Sequence, residues 1–255
     1  MTPNIPELLE LLKAGVHFGH KTSRWHPKMA PFIFGERAGV HIVDLEKTQT
    51  QLKEALEFAQ HLGREGKVLL LVGSKKAAAP VVKKYAMEIG QPYVDRRWLG
   101  GTLTNWSELS KLVRRYLDLK GQHERGELSK YTKKEQLDFT KDIERMRQLV
   151  EGISTLTRLP DALFVVDVKH EETAVREASQ KKIPMVALCD TNVNPDAIAY
   201  VIPGNDDAIK SIELITKLVA EAYKEGVEER KSEILNPKSE TISNDQNSKL
   251  EPAKV

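Results

Sequence analysis

The chain has 255 residues, of which 40% are hydrophobic and 30% charged, and its formal net charge is +2. That size suits one large α/β domain with an insertion, or two small domains, in a soluble and highly charged protein. One cysteine, Cys189, excludes an internal disulfide; no apolar run is long enough to span a bilayer, and no basic region followed by an apolar core marks the N-terminus for secretion.

The small net charge hides a division. Residues 1–159 carry 27 Lys+Arg against 19 Asp+Glu, and residues 160–226 carry 7 against 12. Such a split suggests a nucleic-acid face and a separate partner face.

In chain order, Ile5, Leu8, Leu9 and Leu12 predict a short helix over residues 5–14, ended by Gly15. Residues 16–30 have no regular period and read as an extended basic, aromatic arm holding His17, His20, Lys21, Arg24, Trp25, His26 and Lys28. Residues 31–34 and 40–43 read as strands, with Gly35 and Gly39 bracketing the turn between them. A helix is predicted over 48–62, broken by Gly63 and Gly66. The run KVLLLV at 67–72 has the character of a parallel strand buried on both faces. Ser74 is the expected cap of a helix reaching Ile89.

Residues 92–105 place Arg96, Arg97 and Trp98 against the pair Gly100 and Gly101. Forked cations beside a flat ring and a close-approach backbone suit a polyanion; a packed tryptophan with two solvated arginines is the equal alternative. Residues 106–152 predict two helices joined by a polar turn, with Leu109, Leu112, Val113 and Tyr116 on one stripe and a Thr132–Glu135 capping box starting the second. Apolar runs at 162–168 and 185–188, a helix at 171–181, a short strand at 200–202 and a last helix closed by Gly226 resume the alternation. Residues 227–255 are polar and are expected to stay disordered. The pattern predicts a doubly wound parallel sheet interrupted by an antiparallel helical hairpin. The divisions are 1–105 (arm and first part of the core), 106–152 (hairpin), 153–226 (second part of the core) and 227–255 (tail).

Three constellations bear on chemistry. The turn VGSKK at 72–76 places Lys75 and Lys76 at a helix start, where a phosphate can bind, yet it lacks the full phosphate-loop pattern. Asp44, Asp167 and Asp190 each follow an apolar run, and Asp167 with Asp190 is the candidate site for a structural cation such as magnesium. His17, His20 and His26 match no common zinc spacing. Cys189 lies inside a strand and reads as packing rather than as a nucleophile, so no catalytic set emerges.

Several long motifs resemble a known family: AGVHFGH at 14–20, RWHPKM at 24–29, FG at 34–35, HIVDL at 41–45 and GKVLLLVG at 66–73. The series continues with RWLGGTLTN at 97–105, LPDALFVVDV at 159–168, DTN at 190–192 and VIPGNDDA at 201–208. In this order, over about residues 8–226, the chain resembles bacterial and organellar small-subunit ribosomal protein two. The resemblance implies a flavodoxin-like α/β fold with an inserted coiled-coil hairpin and no enzymatic activity. It implies binding to small-subunit rRNA, contacts with other small-subunit proteins, and recruitment of the large mRNA-binding ribosomal protein numbered one. It implies a place in the ribosome of the cytoplasm, with no membrane, small-molecule substrate or required cofactor. On that reading Lys21, Arg24, Trp25, Lys28, Lys75, Lys76, Arg96 and Arg97 are the candidate RNA contacts. The alternatives are a metal-dependent phosphoryl-switch domain on Asp44, Asp167 and Asp190, and a hairpin adaptor that binds only protein.

Overall fold

The structure, a computed structural model, describes residues 4–235. After α1 (Leu8–Ala14), strand β1 (Phe18–Lys21) leads through two short 3-10 turns to β2 (Ile33–Arg37) and β3 (Val40–Val43). These three strands form an antiparallel sheet in the order β1-β3-β2. The arm is therefore partly a strand, where the sequence suggests an irregular stretch. The hairpin turn lies at Ala38 and Gly39, both in the left-handed region, and Gly35 is paired within β2 instead of bracketing the turn. A two-residue turn of this hand matches the twist of its strands.

Helix α2 (Leu45–Glu65) leads to the main sheet, built from β4 (Leu69–Val72), β5 (Tyr93–Val94), β6 (Ala162–Val166), β7 (Met185–Cys189) and β8 (Tyr200–Pro203). All pairings are parallel, in the order β5-β4-β6-β7-β8. This is the doubly wound order, and the chain reverses its direction of travel across the sheet between β4 and β6. Successive strand residues face opposite sides. Leu69, Leu71, Phe164 and Val166 pack with α1, α2, α3 (Ala79–Glu88) and α7 (Ile209–Leu235). Leu70, Leu163, Val165 and Cys189 pack with α6 (Glu172–Lys181) and with the roots of α4 (Trp106–Glu124) and α5 (Lys133–Val150). Burial on both faces explains why these strands are apolar throughout rather than alternating.

The pair α4 and α5 forms the predicted hairpin, and the Thr132–Glu135 capping box is made in both directions. Helix α3 starts later than expected, at Ala79 with Pro80 in its first turn, while the Ser74 hydroxyl bonds Glu171 instead of capping the helix. Helix α2 begins at Leu45 because Asp44 caps it, accepting from the backbone N–H groups of Glu46 and Lys47. Helix α7 continues to Leu235, beyond Gly226, where the sequence suggests an end, so residues 227–235 are helical rather than disordered. The rest of the predicted tail, 236–255, lies outside the described residues.

Gly63 and Gly226 are not breakers; they are where α2 and α7 touch. A Cβ on Gly63 would lie 2.1 Å from the Tyr223 carbonyl oxygen, and one on Gly226 would lie 1.9 Å from that of Gln60. Gly226→Ala is expected to destabilise the fold by about 2 kcal/mol, the clash outweighing the roughly 1 kcal/mol gained in helix propensity. Chemical denaturation reads this directly, and an unchanged midpoint would show that the helices separate easily.

Candidate functional site

The carboxyl ends of the parallel strands are where doubly wound folds usually bind ligands. Here they converge on charged side chains of the chain itself. Lys75 follows β4, and its Nζ lies 2.7 Å from Asp167 Oδ2 at the end of β6, so this pair spans the reversal point of the sheet. The same ammonium pairs with Asp207 and lies 3.5 Å from Asp206 Oδ1. Burial alone would lower the Lys75 pKa, but hydrogen bonds to Asp167 and Asp207 raise it well above its ordinary value. The turn's anion position is likewise filled from within, since the Ser74 N–H donates to Glu171 Oε1 at 2.7 Å.

Asp206 is buried, and neither of its carboxylate oxygens has a hydrogen-bond partner, although its backbone carbonyl accepts from Lys75 Nζ at 3.4 Å. Burial, then the Asp167 and Asp190 charges, push its pKa up to about 8. Asp190 is occupied by the arm: its Oδ2 lies 2.9 Å from His20 Nδ1, and its Oδ1 accepts from the His20 N–H at 3.2 Å. The bond from Asp190 raises the His20 pKa against the opposing effect of burial.

Ligand atoms of His20, Asp190 and Asp206 all lie within 4.8 Å of one another. One imidazole with two carboxylates suits a transition metal better than magnesium, which prefers oxygen ligands and water. The strand-end carboxylates thus divide differently from the sequence expectation. Asp167 joins Lys75, Asp190 joins His20, and Asp44 caps α2. Cys189 is fully buried, and burial pushes its thiol pKa up, as for a packing residue.

The candidate RNA contacts fall into two exposed groups, a single exposed lysine and one lysine turned inward. Lys21, Arg24, Trp25 and Lys28 lie on β1 and the turns after it, with their side chains exposed. The arm is held over the β7 end, where the His26 N–H donates to the Thr191 carbonyl at 2.8 Å. Trp25 is 41% exposed, its ring 5.3 Å from that of His41, and Lys28 is ion-paired with Asp196. Arg96 and Arg97 follow β5 at the edge of the sheet, three strand spacings or about 14 Å from β7. Both are exposed, and among the described residues neither has an ion pair. Lys76 is exposed, but Lys75 is drawn into the carboxylate cluster and is not displayed beside it.

Trp98 is packed, only 7% exposed, within the cluster on the hairpin side of the sheet. Its Nε1 donates to Glu177 Oε1 at 3.1 Å. Glu177 also accepts from the backbone N–H groups of Gly101 (2.8 Å), Leu103 (2.9 Å) and Thr104 (3.1 Å), and from the Thr104 hydroxyl (3.1 Å). One carboxylate on α6 therefore fastens the whole loop. Burial alone would raise the Glu177 pKa, but these donors hold it below the usual carboxylate range. Sequence reasoning missed Glu177; its signal is an acidic residue set among Ala174, Val175 and Ala178 on the buried face of α6.

Comparison with known proteins fits this arrangement. Residues 11–226 match the family described as Ribosomal protein S2. The chain is 48% identical over 212 residues to the small ribosomal subunit protein uS2 of Marinobacter nauticus, covering 83% of this chain and 85% of that one. It is 46% identical over 230 residues to that of Chloroflexus aggregans, covering 90% and 97%. For that of Acinetobacter baylyi the identity is 46% over 224 residues, covering 88% and 90%. With the core, the loop and the arm all inside the matched span, the chain belongs to the ribosomal protein S2 family.

Proposed function

We propose that the chain is a structural constituent of the small ribosomal subunit and binds its rRNA through the arm and the Arg96–Arg97 loop. The carrying observation is the division within that loop: Trp98 is locked inside by Glu177, while the two guanidiniums beside it stay exposed and without ion pairs among the described residues. Arginines displayed on a rigid loop meet phosphate oxygens with little loss of side-chain freedom. The exposed Trp25 ring, with Lys21 and Arg24 nearby, adds a stacking surface. Contacts of this kind position a protein on folded RNA, and shape decides where it docks.

The chain is not an enzyme; its family is one of ribosomal proteins. Among the described residues no helix is long and apolar enough to cross a membrane, and the reading places the protein in cytoplasmic ribosomes. The acidic span 160–226 faces protein partners in this reading, including the large mRNA-binding ribosomal protein numbered one. A pull-down of that protein should survive RNase treatment; its loss would leave RNA as the only bridge. In this reading the Lys75 ammonium serves Asp167 and the His20 ring serves Asp190, each in the place a cation could take.

Replacing Arg24, Arg96 and Arg97 together with Gln is expected to flatten the salt dependence of rRNA binding. The slope of log affinity against log salt should fall by roughly 2 to 3 if each arginine meets a phosphate. An unchanged slope would remove these residues from the interface.

A further inference from the structure

A cleft lies between the loop after β5 and the end of α5. Lys83 of α3, Arg96 and Arg97 of the loop, and Arg147 of α5 line it, against the acids Asp95 and Glu151. Positive charge from three separate parts of the chain thus exceeds negative charge in one recess. Its walls are held firmly. Val94 and Val150 are buried in the same apolar cluster as Trp98. Gly152, just after α5, sits so close to β5 that a Cβ there would lie 2.3 Å from the Tyr93 carbonyl oxygen. The hairpin root is therefore seated directly on the sheet edge, and the cations are positioned before any ligand arrives.

The cations are also available. Arg147 is forked onto Glu144, three residues away, through Nε to Oε2 at 3.0 Å and Nη2 to Oε1 at 3.1 Å; both side chains are about half exposed, so a phosphate can take over the fork from the carboxylate. Lys83 Nζ rests 5.7 Å from the centre of the Tyr93 ring, and among the described residues it has no ion pair.

We propose that this cleft seats a backbone phosphate of RNA, with the arginines as forked donors and Lys83 as a point charge. The inference rests on the rRNA reading above and adds Lys83 and Arg147 to it. One phosphate held here touches both the core and the hairpin root, and so braces one against the other.

The test uses the full chain and small-subunit rRNA, with binding measured across a salt series. The seat variant carries Lys83→Gln and Arg147→Gln. A control of equal charge change carries Lys53→Gln and Lys217→Gln, at exposed positions on α2 and α7. The seat variant should show a slope shallower by about one unit, with the control matching wild type. A seat variant that keeps the wild-type slope, or a control that loses as much, overturns the seat and leaves the rRNA reading standing. Failure of the wild-type chain to bind rRNA overturns both. Inorganic tripolyphosphate supplies the other arm, by calorimetry. If it binds the wild type tightly and not the seat variant, while the RNA slopes are equal, the recess belongs to a free polyphosphate and the RNA assignment falls.

Discussion

Glu177→Ala is expected to release the loop over residues 98–104 and to lower stability by roughly 3–5 kcal/mol, because it leaves several buried donors without an acceptor. Glu177→Gln keeps the shape but turns an amide N–H group toward other N–H groups, so most of the loss should remain. Guanidinium unfolding checks the magnitude, and a loss below about 1 kcal/mol would show that the loop holds itself. A pH dependence follows from the same carboxylate. Its folded pKa lies below the ordinary 4.5, so its stabilisation is present above that value and is lost as pH falls through the lower folded one. Wild type should therefore lose stability in that acid range more steeply than Glu177→Gln. The arginines beside the loop should also lose their part of the RNA salt slope when it is released, which links the buried contact to the surface function.

Lys75→Met carries the second large effect. It removes the ammonium among Asp167, Asp206 and Asp207, leaving His20, with Nε2 3.7 Å from Asp207 Oδ2, as the neighbouring basic group. The loss should be roughly 2–4 kcal/mol near pH 8, below the value for a fully buried pair because Lys75 is 26% exposed and Asp207 58%. The Asp206 pKa, already up at about 8 through burial and neighbouring acids, rises further without Lys75. A group that binds its proton more tightly when folded makes stability fall as pH rises. The variant's deficit against wild type should thus shrink as pH falls from alkaline values through about 8, where wild-type Asp206 takes up its own proton. Denaturant titrations in a chelating buffer, which keeps a stray cation from replacing the ammonium, measure this. A deficit that is the same well above and well below pH 8 would mean that the acids do not repel one another through the cluster.

Much of the fold could be read locally, because its causes are local. The apolar runs that became β4, β6 and β7 are legible since a strand covered on both faces has no polar side to show. The Thr132–Glu135 box is legible because both partners lie within one turn. The features read differently depend on partners far along the chain. Strand β1 forms by pairing with β3, and His20 within it is held by Asp190 and Thr191, 170 residues or more away. Gly63 and Gly226 look like breakers until two helices are brought into contact.

The site divides along the same line. Arg96 and Arg97 are found from their types and spacing, and exposure agrees with an RNA role for them. Lys75 carries the same signal at a strand end, yet it faces inward, because only the sheet order places Asp167 and Asp207 beside it. Glu177 was missed since nothing near it in sequence identifies the loop whose donors it accepts.

Assembly into the small ribosomal subunit is measured by sedimentation of the tagged chain from growing cells. The chain should travel with small subunits through a sucrose gradient and be released when the rRNA is digested. A chain that stays at the top of the gradient while small subunits sediment normally would contradict it.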